Sequence, residues 1–314
     1  MTDLIFSANA VLPLFFVIYL GYFAKKRKMF GDETISQINH FSFRIALPVM
    51  LFLDLASADF NEMFDPKLLI YAVATTLLSV TIIIIFALFF VKKKESLGAF
   101  IQGAFRGNYA IVGLTLVNNI AGDSAAVKGA LLIAVVVPLY NVLATTILTL
   151  TNTQNKNLRP SGLLKEIIKN PLIIGVLLAI PFSFFDIDLP IMVQRSLSLV
   201  KNIAAPLALI AIGGSISIPQ MKSNFTLSFT ASLFKLIIIP LIFIPVAIHM
   251  GFGSAEIVIL FVMYSTPAAI SSYPMAYSMN GDHALASNII IVTVFFSMFT
   301  MTAGLYLLKA FGAI

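Results

Sequence analysis

The chain of 314 residues contains no cysteine, which excludes structural disulfides, iron–sulfur clusters and thiolate zinc sites. Its three histidines, His40, His249 and His283, are too scattered to build a metal site, so no metal is expected. Charged residues make up only 11% of the composition, against the roughly 25% of a soluble globular domain. Also missing are a GxxxxGK phosphate loop, an HExxH pair and a GxSxG elbow. ATP-driven transport and intramembrane proteolysis therefore lack support, no catalytic residue is assigned, and neither enzyme activity nor a cofactor is expected. The formal charge of +6 reflects where the basic residues sit and points to no nucleic-acid partner.

What the chain has in abundance is apolar length: 59% of its residues are hydrophobic. The run from Lys67 to Val91 and the segment from Ile257 to Ala276 each approach or exceed the ~20 residues of a spanning helix. Barrel strands would be about half as long and would alternate, which these runs do not. The first apolar segment begins near Ala8 and is followed by Lys25, Lys26, Arg27 and Lys28. A cleavable signal carries its positive charge ahead of the apolar core, so this segment is expected to stay as a first span.

Polar punctuation divides the chain into ten expected helices, at 8–24, 36–56, 67–91, 97–119, 125–150, 164–185, 190–217, 224–249, 254–279 and 283–310. The most polar connection, with Gln154, Asn155, Lys156 and Arg159, falls near the midpoint. The expected organisation is a first five-helix repeat at 1–151, a cytoplasmic linker at 152–163 and a second repeat at 164–314. Connections alternate in charge, basic at Lys25 to Lys28, Lys92 to Lys94, Lys156 to Lys169 and Lys222, and acidic at Asp59 to Asp65, Asp123, Asp186 and Asp188. Placing the basic set in the cytoplasm leaves Lys67 and Lys128 on the opposite side and puts both termini outside. An odd number of spans per half inverts the second half relative to the first.

Internal matches support two halves of one plan. Pro48, in Arg44-Ile45-Ala46-Leu47-Pro48, and Pro206, in Asn202-Ile203-Ala204-Ala205-Pro206, lie about half the chain apart, and each is expected to interrupt a spanning helix. Nearly the same offset aligns the stretch beginning at Asn108 in span 4 with the one beginning at Pro267 in span 9. Span 4 concentrates Arg106, Gly107, Asn108 and Gly113 where a lipid-facing helix would avoid them. Non-helical backbone at membrane depth survives only where protein or a wet cavity covers it. Spans 4 and 9 are thus expected to be broken at Gly107 and Pro267, with exposed half-helix N-termini offering amides to an anion.

Asn108 is the leading candidate for holding a carboxylate, its alternative being a helix-packing amide. In span 9 the hydroxyls of Ser265, Thr266, Ser271 and Ser272 are candidates too, with back-bonding to their own helix as the alternative. Arg106 and Arg44 are candidates for neutralising substrate charge, unless each reaches for an interface. Lys235, deep in span 8, needs a partner, and Asp54 near the end of span 2 is a candidate charge pair or coupling group. Tyr140 and Asn141 follow Pro138 in span 5, and Gly213-Gly214 in span 7 is expected to be a close-packing point.

Together, Ile45-Ala46-Leu47-Pro48, Arg106-Gly107-Asn108-Tyr109-Ala110-Ile111-Val112-Gly113-Leu114, Pro206 and Pro267-Ala268-Ala269 resemble the auxin efflux carrier family, within a wider group of PIN-like transporters. The resemblance covers essentially the whole chain. It implies an all-α integral membrane protein of ten spans in a 5+5 inverted repeat, with spans 4 and 9 crossing at a substrate site. It further implies a secondary transporter of organic anions such as malate or malonate, in a bacterial plasma membrane. Relatives of this kind are homodimers, embedded in lipid, that move a crossing-helix bundle like an elevator against a scaffold including spans 1, 2, 6 and 7. By the same resemblance Asn108, Tyr109, Gly113, Tyr140, Asn141 and Pro267 fall in the substrate-binding region. Two departures stand out: Gly113-Leu114-Thr115 replaces a frequent Gly-x-Pro, and Ala268-Ala269 after Pro267 replaces the Asn-Thr of plant carriers, making auxin itself an unexpected substrate. A sodium-coupled symporter of the bile-acid type and a non-transporting membrane sensor stay open as alternatives. The first wants a carboxylate near the crossing, which spans 4 and 9 lack; the second would want a signalling domain, and none is expected after the last span.

Overall fold

The computed structural model describes residues 2–57, 64–151, 171–214, 224–279 and 281–314, and the described residues are almost entirely helical. In chain order the helices are α1 (Thr2–Lys26), α2 (Asp32–Phe41), α3 (Leu47–Ala56), α4 (Pro66–Phe90), α5 (Lys94–Phe105), α6 (Leu114–Thr151) and α7 (Pro171–Phe184). They continue with α8 (Ile191–Gly214), α9 (Phe225–Leu233), α10 (Ile239–His249), α11 (Ser254–Ser265), α12 (Ser272–Ser278) and α13 (His283–Ala310). Three π-helical turns, Ser42–Ala46, Tyr109–Gly113 and Phe234–Ile238, splice α2 to α3, lead into α6 and splice α9 to α10. Among the described residues five helical runs are long and apolar enough to cross a membrane: Pro66–Phe90, Tyr109–Thr151, Ile191–Gly214, Phe225–His249 and His283–Ala310. The chain is an all-α membrane protein. The linker expected at 152–163 lies outside the described residues.

Proline does not interrupt the helices where Pro48 and Pro206 led us to expect it. Pro206 sits exposed inside the continuous helix α8. At Pro48 the rod from α2 to α3 stays helical because the preceding turn widens, the Leu47 amide reaching back to the Ser42 carbonyl. That register shift absorbs the missing amide and the ring clash of proline. The same device recurs at Pro240, which also follows its π turn by two residues, with the Ile239 amide bonded to the Phe234 carbonyl. The boundary expected between spans 4 and 5 is a kink within α6 at Gly122, whose φ of 80° suits glycine.

Helices α1, α2, α3, α7 and α8 pack together through small residues. A Cβ on Gly213 would lie 1.7 Å from the Ile18 carbonyl oxygen and one on Gly21 2.1 Å from that of Ile210, so α1 and α8 meet backbone to backbone. Gly213 is a packing residue, as expected. Gly175 of α7 closes on Pro48 of α3 in the same way: a Cβ there would lie 2.6 Å from the Pro48 carbonyl oxygen.

Two clusters of polar contacts define opposite ends of the remaining helices. At one end Lys67 donates to the Met250 carbonyl at 2.8 Å and lies over the Phe252 ring, and Lys128 pairs with Glu256 at 2.7 Å. At the other end Ser96 donates to Asp282 at 2.7 Å, and the Asp282 amide donates to the Glu95 carbonyl. Consequently α5 starts at one end and α11 at the other, and they run toward each other. Each has 12 residues, about 18 Å of rise, which carries both to roughly the middle of a ~30 Å hydrocarbon layer.

Candidate functional site at the helix crossing

Where α5 and α11 stop, their chains cross and bond to one another. The Asn108 amide donates to the Pro267 carbonyl at 2.8 Å, and the Ala269 amide donates to the Arg106 carbonyl at 3.0 Å, making an antiparallel bridge between Gly107 and Ala268. The Ala268 amide is taken by the Thr293 hydroxyl of α13 at 3.0 Å. Buried backbone groups freed by the interruptions thus find partners in each other and in α13, as burial demands. The chain is non-helical at Gly107, between α5 and the Tyr109–Gly113 turn, and at Pro267, between α11 and α12. Helical geometry resumes at Tyr109, where the Asn108 carbonyl accepts from Val112 and Gly113, and first-turn amides of this segment face back toward the crossing.

The extended backbone at Arg106 (φ −83°, ψ 105°) sends consecutive side chains to opposite faces. Arg106 and Asn108 therefore share one face. Arg106 is 5% exposed and donates to Asn141 Oδ1 at 2.5 Å and toward Met275 Sδ at 3.3 Å. Asn108 is buried and its side-chain amide makes no hydrogen bond among the described residues. Tyr140 is buried edge-on against Phe105, 5.7 Å between ring centroids, so α6 supplies both Tyr140 and Asn141 to the end of α5. Tyr109 is buried with its hydroxyl unpartnered among the described residues, and its ring closes on Gly113, where a Cβ would lie 2.4 Å from it. Ser272 is buried with an unpartnered hydroxyl while its carbonyl accepts from Gln102 at 3.1 Å; Ser271 is exposed.

On the opposite face, behind Gly107, lies Lys235. It is 2% exposed and donates to the carbonyls of Met263 at 3.2 Å and Tyr264 at 2.5 Å, the last turn of α11. Its depth in span 8 called for a partner, with Asp54 one candidate; here the carbonyl oxygens of Met263 and Tyr264 accept from it. The side chain of Asp54 lies outside those described. Arg44 is exposed within the first π turn and has no ion pair among the described residues. The Thr293 and Gln102 contributions were not anticipated, since nothing in a lone threonine or glutamine within an apolar run announces which backbone it will face.

These features define the class: a multi-pass membrane transport protein built around two interrupted helices. A profile described as membrane transport protein matches residues 6–304, and the chain belongs to that family, the auxin efflux carriers its motifs resemble. Similar proteins include one from Rhizobium meliloti named "Putative malonate transporter", 24% identical over 96% of this chain and 95% of its own. An uncharacterized transporter of Methanocaldococcus jannaschii is 24% identical over 92% of this chain and 95% of its own. The uncharacterized transporter YfdV of Escherichia coli is 23% identical over 91% and 94%.

Proposed function

We propose that this protein is a secondary transporter of small organic anions, malonate, malate or related carboxylates, across the plasma membrane. The observation that carries this reading is Arg106, a buried cation at the crossing with no carboxylate partner among the described residues, on the same face as the uncommitted amide of Asn108. A carboxylate entering there gains a charge-assisted hydrogen bond, an amide donor and the first-turn amides after Asn108. The name carried by the Rhizobium meliloti relative makes malonate the first anion to try.

In this reading the ten spans form a 5+5 inverted repeat and the crossing bundle moves as an elevator, in a homodimer with both termini outside. Asn108 and Pro267, the residues aligned between the halves, are hydrogen-bonded to each other. A pseudo-two-fold axis through the crossing would produce that pairing. The test is uptake of radiolabelled malonate by proteoliposomes holding purified protein, with mono- and dicarboxylates first screened for a rise in Tm. Asn108→Ala is expected to abolish uptake while the protein stays monodisperse; wild-type uptake by this variant would overturn the assignment.

A further inference from the structure

We propose that the Lys235 ammonium is a built-in cation that holds the helix crossing together, in the place a diffusible sodium ion takes in coupled carriers. Where half-helices end in mid-membrane, their C-terminal carbonyls and unwound backbone commonly coordinate such an ion. Here those positions belong to the last turn of α11, and the Met263 and Tyr264 carbonyls accept from Lys235 Nζ. The negative end of the α11 dipole adds to the attraction.

A second, independent feature shows the place to be shaped for this group. A Cβ on Gly107 would lie 2.8 Å from Lys235 Nζ, 3.1 Å from its Cε and 2.6 Å from Thr266 Oγ1. Gly107, the bridge residue of the other interrupted helix, is therefore thin enough to let the ammonium in among these neighbours, which a larger residue would push aside. The lysine stem comes from the π turn of span 8, Phe234–Ile238, so one side chain joins three elements: that turn, the end of α11 and the break after α5. Since Arg106 and Asn108 face the other way, Lys235 is a positioning residue behind the substrate face, and the carrier needs no sodium.

The test uses purified full-length protein and has two arms. In the stability arm, which does not depend on the transport reading, Tm is measured in choline, sodium and ethylammonium chloride at equal ionic strength. Wild-type Tm is expected to be the same in all three. Lys235→Ala is expected to have a lower Tm in choline that rises when ethylammonium supplies the missing cation. If Lys235→Ala does not fold, Lys235→Met, which keeps the volume of the stem, takes its place. In the flux arm, which rests on the transport reading, wild-type malonate uptake is expected to be unchanged when sodium is replaced by choline, and the variant to lose uptake in choline and regain part of it in ethylammonium. A wild-type protein that needs sodium for stability or uptake would overturn the proposal. So would a variant as stable in choline as the wild type, or a folded variant that ethylammonium leaves unchanged.

Discussion

Glycine and the two cations at the crossing show how much depends on single side chains at membrane depth. Gly107 is flanked by Thr266 Oγ1 and Lys235 Nζ so closely that a methyl group there requires one of those side chains to shift. Gly107→Ala is expected to cost about 1–3 kcal/mol from overpacking and to reduce uptake, read as a drop in Tm together with a lower initial rate. Arg106, Gly107 and Asn108 were legible in the sequence because breakers and hydrogen-bonding groups concentrated in an apolar span need a reason. The partner of Lys235 was not, because a backbone carbonyl leaves no mark in a list of residue types. Arg44 was a candidate beside Arg106, yet it lies exposed in a widened turn, while Arg106 is carried inward at the end of α5.

At the scale of the element, proline misled and glycine informed. Pro48 and Pro240 are accommodated by π turns placed two residues earlier, and Pro206 is carried within α8 without interruption. Proline's effect depends on what the preceding turn does with the freed carbonyl, and the sequence does not display that. The small residues on α1 and α8 are a steadier signal, since only their size lets two backbones touch. Pro206→Ala, which restores an amide inside α8, is expected to leave the protein at least as stable as the wild type, with uptake unchanged. Gly213→Ala pushes a methyl group into the Ile18 carbonyl and is expected to lower Tm clearly. Thermal unfolding of the two purified variants side by side checks the contrast.

For the whole molecule, charge and apolar length made the membrane class legible, and the spacing of matched motifs made two related halves an expectation. Among the described residues five helical runs reach membrane-crossing length, and the two interrupted chains meet each other at the Gly107–Ala268 bridge. The sidedness of the ends has a direct test, because the absence of cysteine gives a background free of reactive thiols. A single cysteine replacing Lys93 is expected to react with a membrane-impermeant maleimide only from the cytoplasm. One replacing Lys128 is expected to react only from outside the cell. Lys93 adjoins the Asp282 end and Lys128 the Glu256 end, so the opposite labelling pattern would invert the orientation while keeping the fold.

The bridge between Gly107 and Ala268 also limits how such a protein is able to work. Its two backbone hydrogen bonds stitch the tips of opposed rods among buried residues. Parting the tips would leave those buried groups without their partners. In the elevator reading proposed above, the seam stays closed throughout the cycle and cargo held beside it travels with it as freight on a single carriage.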